Sequence, residues 1–96
     1  MLKLEQEPKY DIIKGKLVNR ESGKRIPDDE PVFIIRGQDL NALEGLMAYK
    51  KVAKGRHKQA VQARINQIRA WQKANKDRTK SGDSTAAEVA AAKDLI

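Results

Sequence analysis

The sequence predicts an α+β fold: a two-stranded antiparallel β-hairpin packed on an antiparallel helix pair, plus a short C-terminal helix. Three observations predict it. Two stretches rich in β-branched and aromatic residues, Tyr10 to Val18 and Val32 to Ile35, are too short for buried helices and read as strands. Downstream, Leu40, Leu43, Leu46 and Met47, and then Val61, Ile65, Ile68 and Trp71, recur at the spacing of helical faces. Between them fall clusters of Asn, Ser, Gly, Pro and Asp that mark turns.

In chain order, residues 1–9 form a polar, loose N-terminal arm, 10–76 a single α+β domain, 77–83 a linker and 84–96 an alanine-rich tail helix. Tyr10 to Val18 is the first strand, with Gly15 marking a bulge or a close backbone approach. Asn19 to Glu30 is a long hydrophilic connection, its tip at Ser22-Gly23-Lys24 and a second turn at Pro27-Asp28-Asp29. The adjacent carboxylates of Asp28, Asp29 and Glu30 lack the alternate ligand positions of a calcium loop, so no metal site is expected. Pro31 introduces the second strand, Val32 to Ile35.

Gln38 or Asp39 opens the first helix, which continues from Ala42 to Ala53, with Gly45 inside it at a point of close packing or of tolerated weakness. Gly55 ends that helix as a left-handed C-cap, where Lys50, Lys51 and Lys54 suit the negative end of the dipole. The second helix runs from about Arg56 to Asn75 and is amphipathic. Val61, Ile65, Ile68 and Trp71 share one side, and Lys58, Arg69, Lys73 and Lys76 line up with Gln62 on another as a basic face. In the tail, Glu88 stands at capping-box spacing from Thr85.

Composition narrows the class. A chain of 96 residues with four aromatics and 34% charged residues has a modest core, and such chains often complete it by forming a homo-oligomer. Without cysteine there is no disulfide framework and no thiolate zinc site. No signal peptide pattern and no apolar run near the roughly 20 residues of a membrane span are visible, so the expected setting is cytoplasmic and away from membranes. Charge is unevenly placed: Lys50 to Lys80 holds eleven basic residues against the single acid Asp77, while the whole chain is +7. Such a segment points to an anionic partner, the plain alternative being a lysine-rich helix that keeps the chain dissolved.

Catalytic patterns are missing. His57 is the only histidine, Ser22, Ser81 and Ser84 lie in turns, and neither a phosphate-loop nor a dinucleotide fingerprint occurs, so neither an enzyme nor a cofactor is expected. What remains is the junction Arg36-Gly37-Gln38-Asp39, where a strand's end meets a helix's start. Helix N-terminal amides favour anions there and Arg36 adds a fork of donors. Arg36, Gln38 and Asp39 are therefore candidate ligand-binding residues. His57, Arg64 and Trp71, on or beside the apolar side of the second helix, are candidates to complete the site, with Trp71 or Phe33 available for stacking.

The run Asp28 to Asp39, together with Ala60-Val61, Ala70-Trp71-Gln72 and Lys80, resembles small phage and prophage proteins of unassigned function. These share a Glu-Pro-Val-Phe, Arg-x-Gln-Asp core and a tryptophan-bearing second helix. The resemblance covers about Lys24 to Asp83 and implies a phage setting, in which small oligomeric proteins blunt host defence by sequestering a nucleotide signal or occupying a defence protein. The expected function is thus non-catalytic capture of a phosphate-bearing ligand such as a nucleotide or cyclic nucleotide signal. The alternatives are direct contact with a host-defence protein and nonspecific DNA or RNA binding.

Overall fold

The computed structural model describes residues 5–93. These form β1 (Tyr10–Ile13), β2 (Lys16–Asn19), α1 (Ala42–Val52), α2 (Gly55–Ala74), one 3-10 turn at Lys76–Arg78 and α3 (Ala86–Lys93). The class is α+β: one two-stranded antiparallel sheet, a packed helix pair and a short C-terminal helix. The arm expected over 1–9 and the tail over 84–96 fall partly on residues 1–4 and 94–96, outside the described residues. The chain divides into two compact units, Met1–Phe33 and Ile34–Ile96.

In the first unit the strand expected over Tyr10 to Val18 folds back on itself. Lys14 and Gly15 take φ of 52° and 76°, the left-handed pair of a two-residue type I′ turn, whose twist matches that of the flanking strands. Asp11 therefore faces Val18, and Ile12 faces Leu17. Asp11 and Val18 are both buried, and Asp11 Oδ1 accepts from the Ile12 amide at 2.8 Å. A second tight turn follows, because Asn19 Oδ1 accepts from the amides of Glu21 and Ser22 at 2.9 and 3.0 Å. This Asx turn brings Arg25 into a bridge with Val18, and the Ile26 amide onto the Leu17 carbonyl at 2.9 Å. Asp28 then pairs with Lys16 and Arg25 at 3.3 and 3.2 Å. Both pairs are exposed and contribute little.

These contacts correct the assignment of Val32 to Ile35 as the second strand of the hairpin. The free edge of β2 is taken by Arg25 and Ile26, and no ladder forms at 32–35. Val32, Phe33, Ile34 and Ile35 are exposed at 55, 89, 77 and 37%.

In the second unit, α1 and α2 pack against each other across a short connecting turn, Tyr49 meeting His57 and Lys50 meeting Gln62. Ala53, Val61 and Ile65 are its buried core, with Leu43 and Leu46 packed against them. The turn is Ala53-Lys54, both extended, and the left-handed residue Gly55 (φ 58°) opens α2 rather than capping α1. Gly45 marks no close packing, since a Cβ there would meet nothing within 4 Å. At α3 the expected capping box forms: the Thr85 amide donates to Glu88 Oε1 at 2.8 Å and the Glu88 amide to Thr85 Oγ1 at 3.2 Å. Among the described residues no helix is long and apolar enough to cross a membrane.

With so few buried groups, Ile65 at 1% exposure is the residue whose loss the helix pair feels most. Ile65→Ala is expected to destabilise by about 2–5 kcal/mol, read as a lowered midpoint in urea with the α-helical signal as probe.

Candidate functional site

The segment Arg36-Gly37-Gln38-Asp39 is fixed from two sides. The Leu40 amide donates to the Lys80 carbonyl and the Lys80 amide to the Gln38 carbonyl, each at 2.9 Å, a parallel bridge that stitches the segment to the chain leaving α2. From the helix itself, Gln72 Nε2 donates to the Gly37 and Asp39 carbonyls, both at 2.9 Å. A Cβ on Gly37 would sit 3.7 Å from the Trp71 ring, so the segment lies directly on that indole.

Asp39 changes what the junction can do. Its Oδ1 accepts from the Asn41 amide at 2.8 Å, its carbonyl accepts from Ala42 at 3.0 Å, and its own amide donates to the Arg36 carbonyl at 3.1 Å. The amides from Asp39 to Ala42, expected to face an incoming anion, are thus already spent. A carboxylate of the chain stands where that anion was anticipated, two residues ahead of the N-cap Asn41.

Arg36, Gln38 and Asp39 nevertheless share one hollow of about 140 Å³, lined also by Ile34 and by Lys80, Ser81, Gly82 and Asp83. Ligand pockets begin near about 300 Å³, so this one has room for a phosphate group or a similar small anion and not for an enclosed dinucleotide. Its charges largely cancel, with Lys80 Nζ 3.7 Å from Asp83 Oδ2. Arg36 is exposed and pairs with no carboxylate among the described residues. Lys80 to Asp83 were not legible as lining residues, since in composition they are a linker. The structure brings Gly82 so close to Asp39 that a Cβ there would come within 3.1 Å of Asp39 Oδ2.

The other candidates lie elsewhere. His57 sits at the far end of α2, about 20 Å along the helix axis from Trp71, its Nε2 2.8 Å from the Tyr49 hydroxyl and its ring edge-on to that tyrosine. Arg64 is half-buried midway along α2. Trp71 is half-buried, with Gly37 against its ring and the Arg78 guanidinium over it at 4.9 Å. Phe33 is exposed and does not line the hollow.

A larger electropositive surface belongs to the helix pair. Helix α2 contains no acidic residue, and Lys51, Lys54, Arg56, Lys58, Arg69, Lys73 and Lys76 are exposed without a carboxylate partner among the described residues. Arg56 and Lys58 stand in the first turn of α2, where the helix dipole already concentrates positive charge. That placement opposes helix stability and strengthens the local field. No group of three or more metal-ligating side chains occurs among the described residues.

Comparison with protein-family models, curated proteins and solved structures finds no match.

The Gln72 amide ties the Gly37 and Asp39 carbonyls to α2. Gln72→Glu keeps its shape but sets a carboxylate against two carbonyls. It is expected to destabilise by about 1–3 kcal/mol and to speed hydrogen exchange at the Leu40 amide, measured by thermal melting and by exchange mass spectrometry.

Proposed function

We propose that this protein is a non-catalytic binder of phosphate-bearing ligands whose main contact surface is the basic face of α2 with the lysines that close α1. The observation that carries this reading is the set of exposed cations on an acid-free helix, including a basic first turn that works against the helix dipole. An arrangement that raises local repulsion is relieved when a polyanion neutralises it. Because the cations spread along the helix instead of gathering at its start, they suit sequence-indifferent contact with a nucleic-acid backbone better than reading of base edges. In the phage setting implied by the sequence resemblance, such a face would occupy nucleic acid, or the site of a host-defence protein that handles it.

A second reading has its own observation: Arg36 borders the small hollow without a carboxylate partner among the described residues, a position suited to one terminal phosphate of a nucleotide. The two readings separate cleanly. Binding to a single-stranded or duplex oligonucleotide should weaken with salt in proportion to the phosphates contacted, each contributing a slope of about 0.7–0.9 in log K against log salt. The triple variant Lys58→Glu, Arg69→Glu, Lys73→Glu should flatten that slope by two or more units, while Arg36→Ala leaves it unchanged. Should a nucleotide or cyclic dinucleotide stabilise the wild type in a thermal-shift panel but not Arg36→Ala, the ligand belongs in the hollow. Absence of any salt-sensitive oligonucleotide binding removes the first reading.

A further inference from the structure

We propose that residues 30–36 pair with the same segment of a second copy of this chain, as an antiparallel β-ladder centred on Phe33. The segment Glu30-Pro31-Val32-Phe33-Ile34-Ile35-Arg36 holds four consecutive exposed apolar residues, a pattern that a monomer has no reason to keep. Residues 31–35 make no backbone hydrogen bond with any described residue. A β-branched run with unspent amides and carbonyls is the raw material of strand addition.

Charge selects the partner and the direction. Pairing centred on Phe33 sets Glu30 of each copy opposite Arg36 of the other, so both ends of the ladder are complementary. A parallel, in-register pairing would instead oppose like charges at both ends. Proline selects the register. With Phe33 facing its symmetry mate at a non-hydrogen-bonded position, Pro31 faces Ile35 at another such position, where its missing N–H is not required. Val32 and Ile34 then exchange the central backbone bonds, and the two phenylalanines meet where cross-strand side chains approach closest. The same parity turns Pro31 to the outer edge, which blunts addition of a third strand and favours a closed pair over a fibre. Turns bound the ladder. The Glu30 amide closes on the Pro27 carbonyl at 3.2 Å, and the Arg36 carbonyl accepts from Asp39 at 3.1 Å.

The test is sedimentation across concentration, on the full chain and without phosphate or nucleic acid, so it does not depend on the ligand readings. A concentration-dependent dimer is expected for the wild type. Ile34→Pro, which removes a central donor, should be monomeric with an unchanged helical signal. Glu30→Arg and Arg36→Glu should each self-associate at least tenfold more weakly than the wild type, and a mixture of the two should regain dimer. A wild-type monomer at several hundred micromolar would overturn the proposal. So would an assembly that survives Ile34→Pro, or two charge variants whose mixture associates no better than either alone.

Discussion

Two carbonyls of one short segment, those of Gly37 and Asp39, converge on the side-chain amide of Gln72, and the layout of the second unit follows from that clamp. It fixes the chain against α2 before α1 begins, seats Gly37 on the Trp71 indole and leaves the Lys80 backbone as the neighbour of Leu40. A glutamine serves here because it has two N–H donors on one nitrogen, enough for both carbonyls without a charge to desolvate. The same clamp decides the chemistry of the junction. The amides from Asp39 to Ala42 are committed, that of Asn41 to the Asp39 carboxylate itself. Positive charge available to a ligand is left to side chains: Arg36 at the hollow, and the open lysines and arginines of the helix pair.

Much of this was legible because it is local. The ends of α2 fall within one residue of those expected from apolar spacing, whereas α1 starts at Ala42 rather than at Gln38 or Asp39, and the reciprocal bonds of Thr85 and Glu88 follow from their three-residue separation. The first hairpin was half legible. Tyr10 to Val18 is strand-like throughout, but Lys14-Gly15 lacks the asparagine or aspartate that usually announces a type I′ turn, so a reversal looked like a bulge. Strand pairing was not legible, because the pattern of Val32 to Ile35 states a preference for extended backbone and says nothing of a partner. The edge it would have joined is taken by Arg25, which lies seven residues beyond its bridge partner Val18 where Val32 lies fourteen beyond, so the shorter loop closes at lower entropic cost. For the candidate site, Arg36, Gln38 and Asp39 came together because they are neighbours in the chain. His57, Arg64 and Trp71 were grouped by helical face, and a face extends along a helix far beyond the reach of one ligand.

Two features of the chain run against its own stability, and they are of opposite character. One is an apolar run left in solvent at 32–35; the other is a helix whose first turn adds cations to the positive end of its dipole. In a sequence whose local choices otherwise agree with the fold, such conflicts concentrate where a second molecule supplies what the monomer lacks. The apolar run lacks hydrogen-bond partners and cover, which another polypeptide strand would provide. The basic helix lacks counter-charge, which a polyanion would provide. Screening by salt acts on the whole of the second requirement but only on the end pairs of the first, so the two would differ in their response to salt. Neither surface draws on Ile65, Val61 or Ala53, so the few groups that hold the helices together remain free of functional compromise.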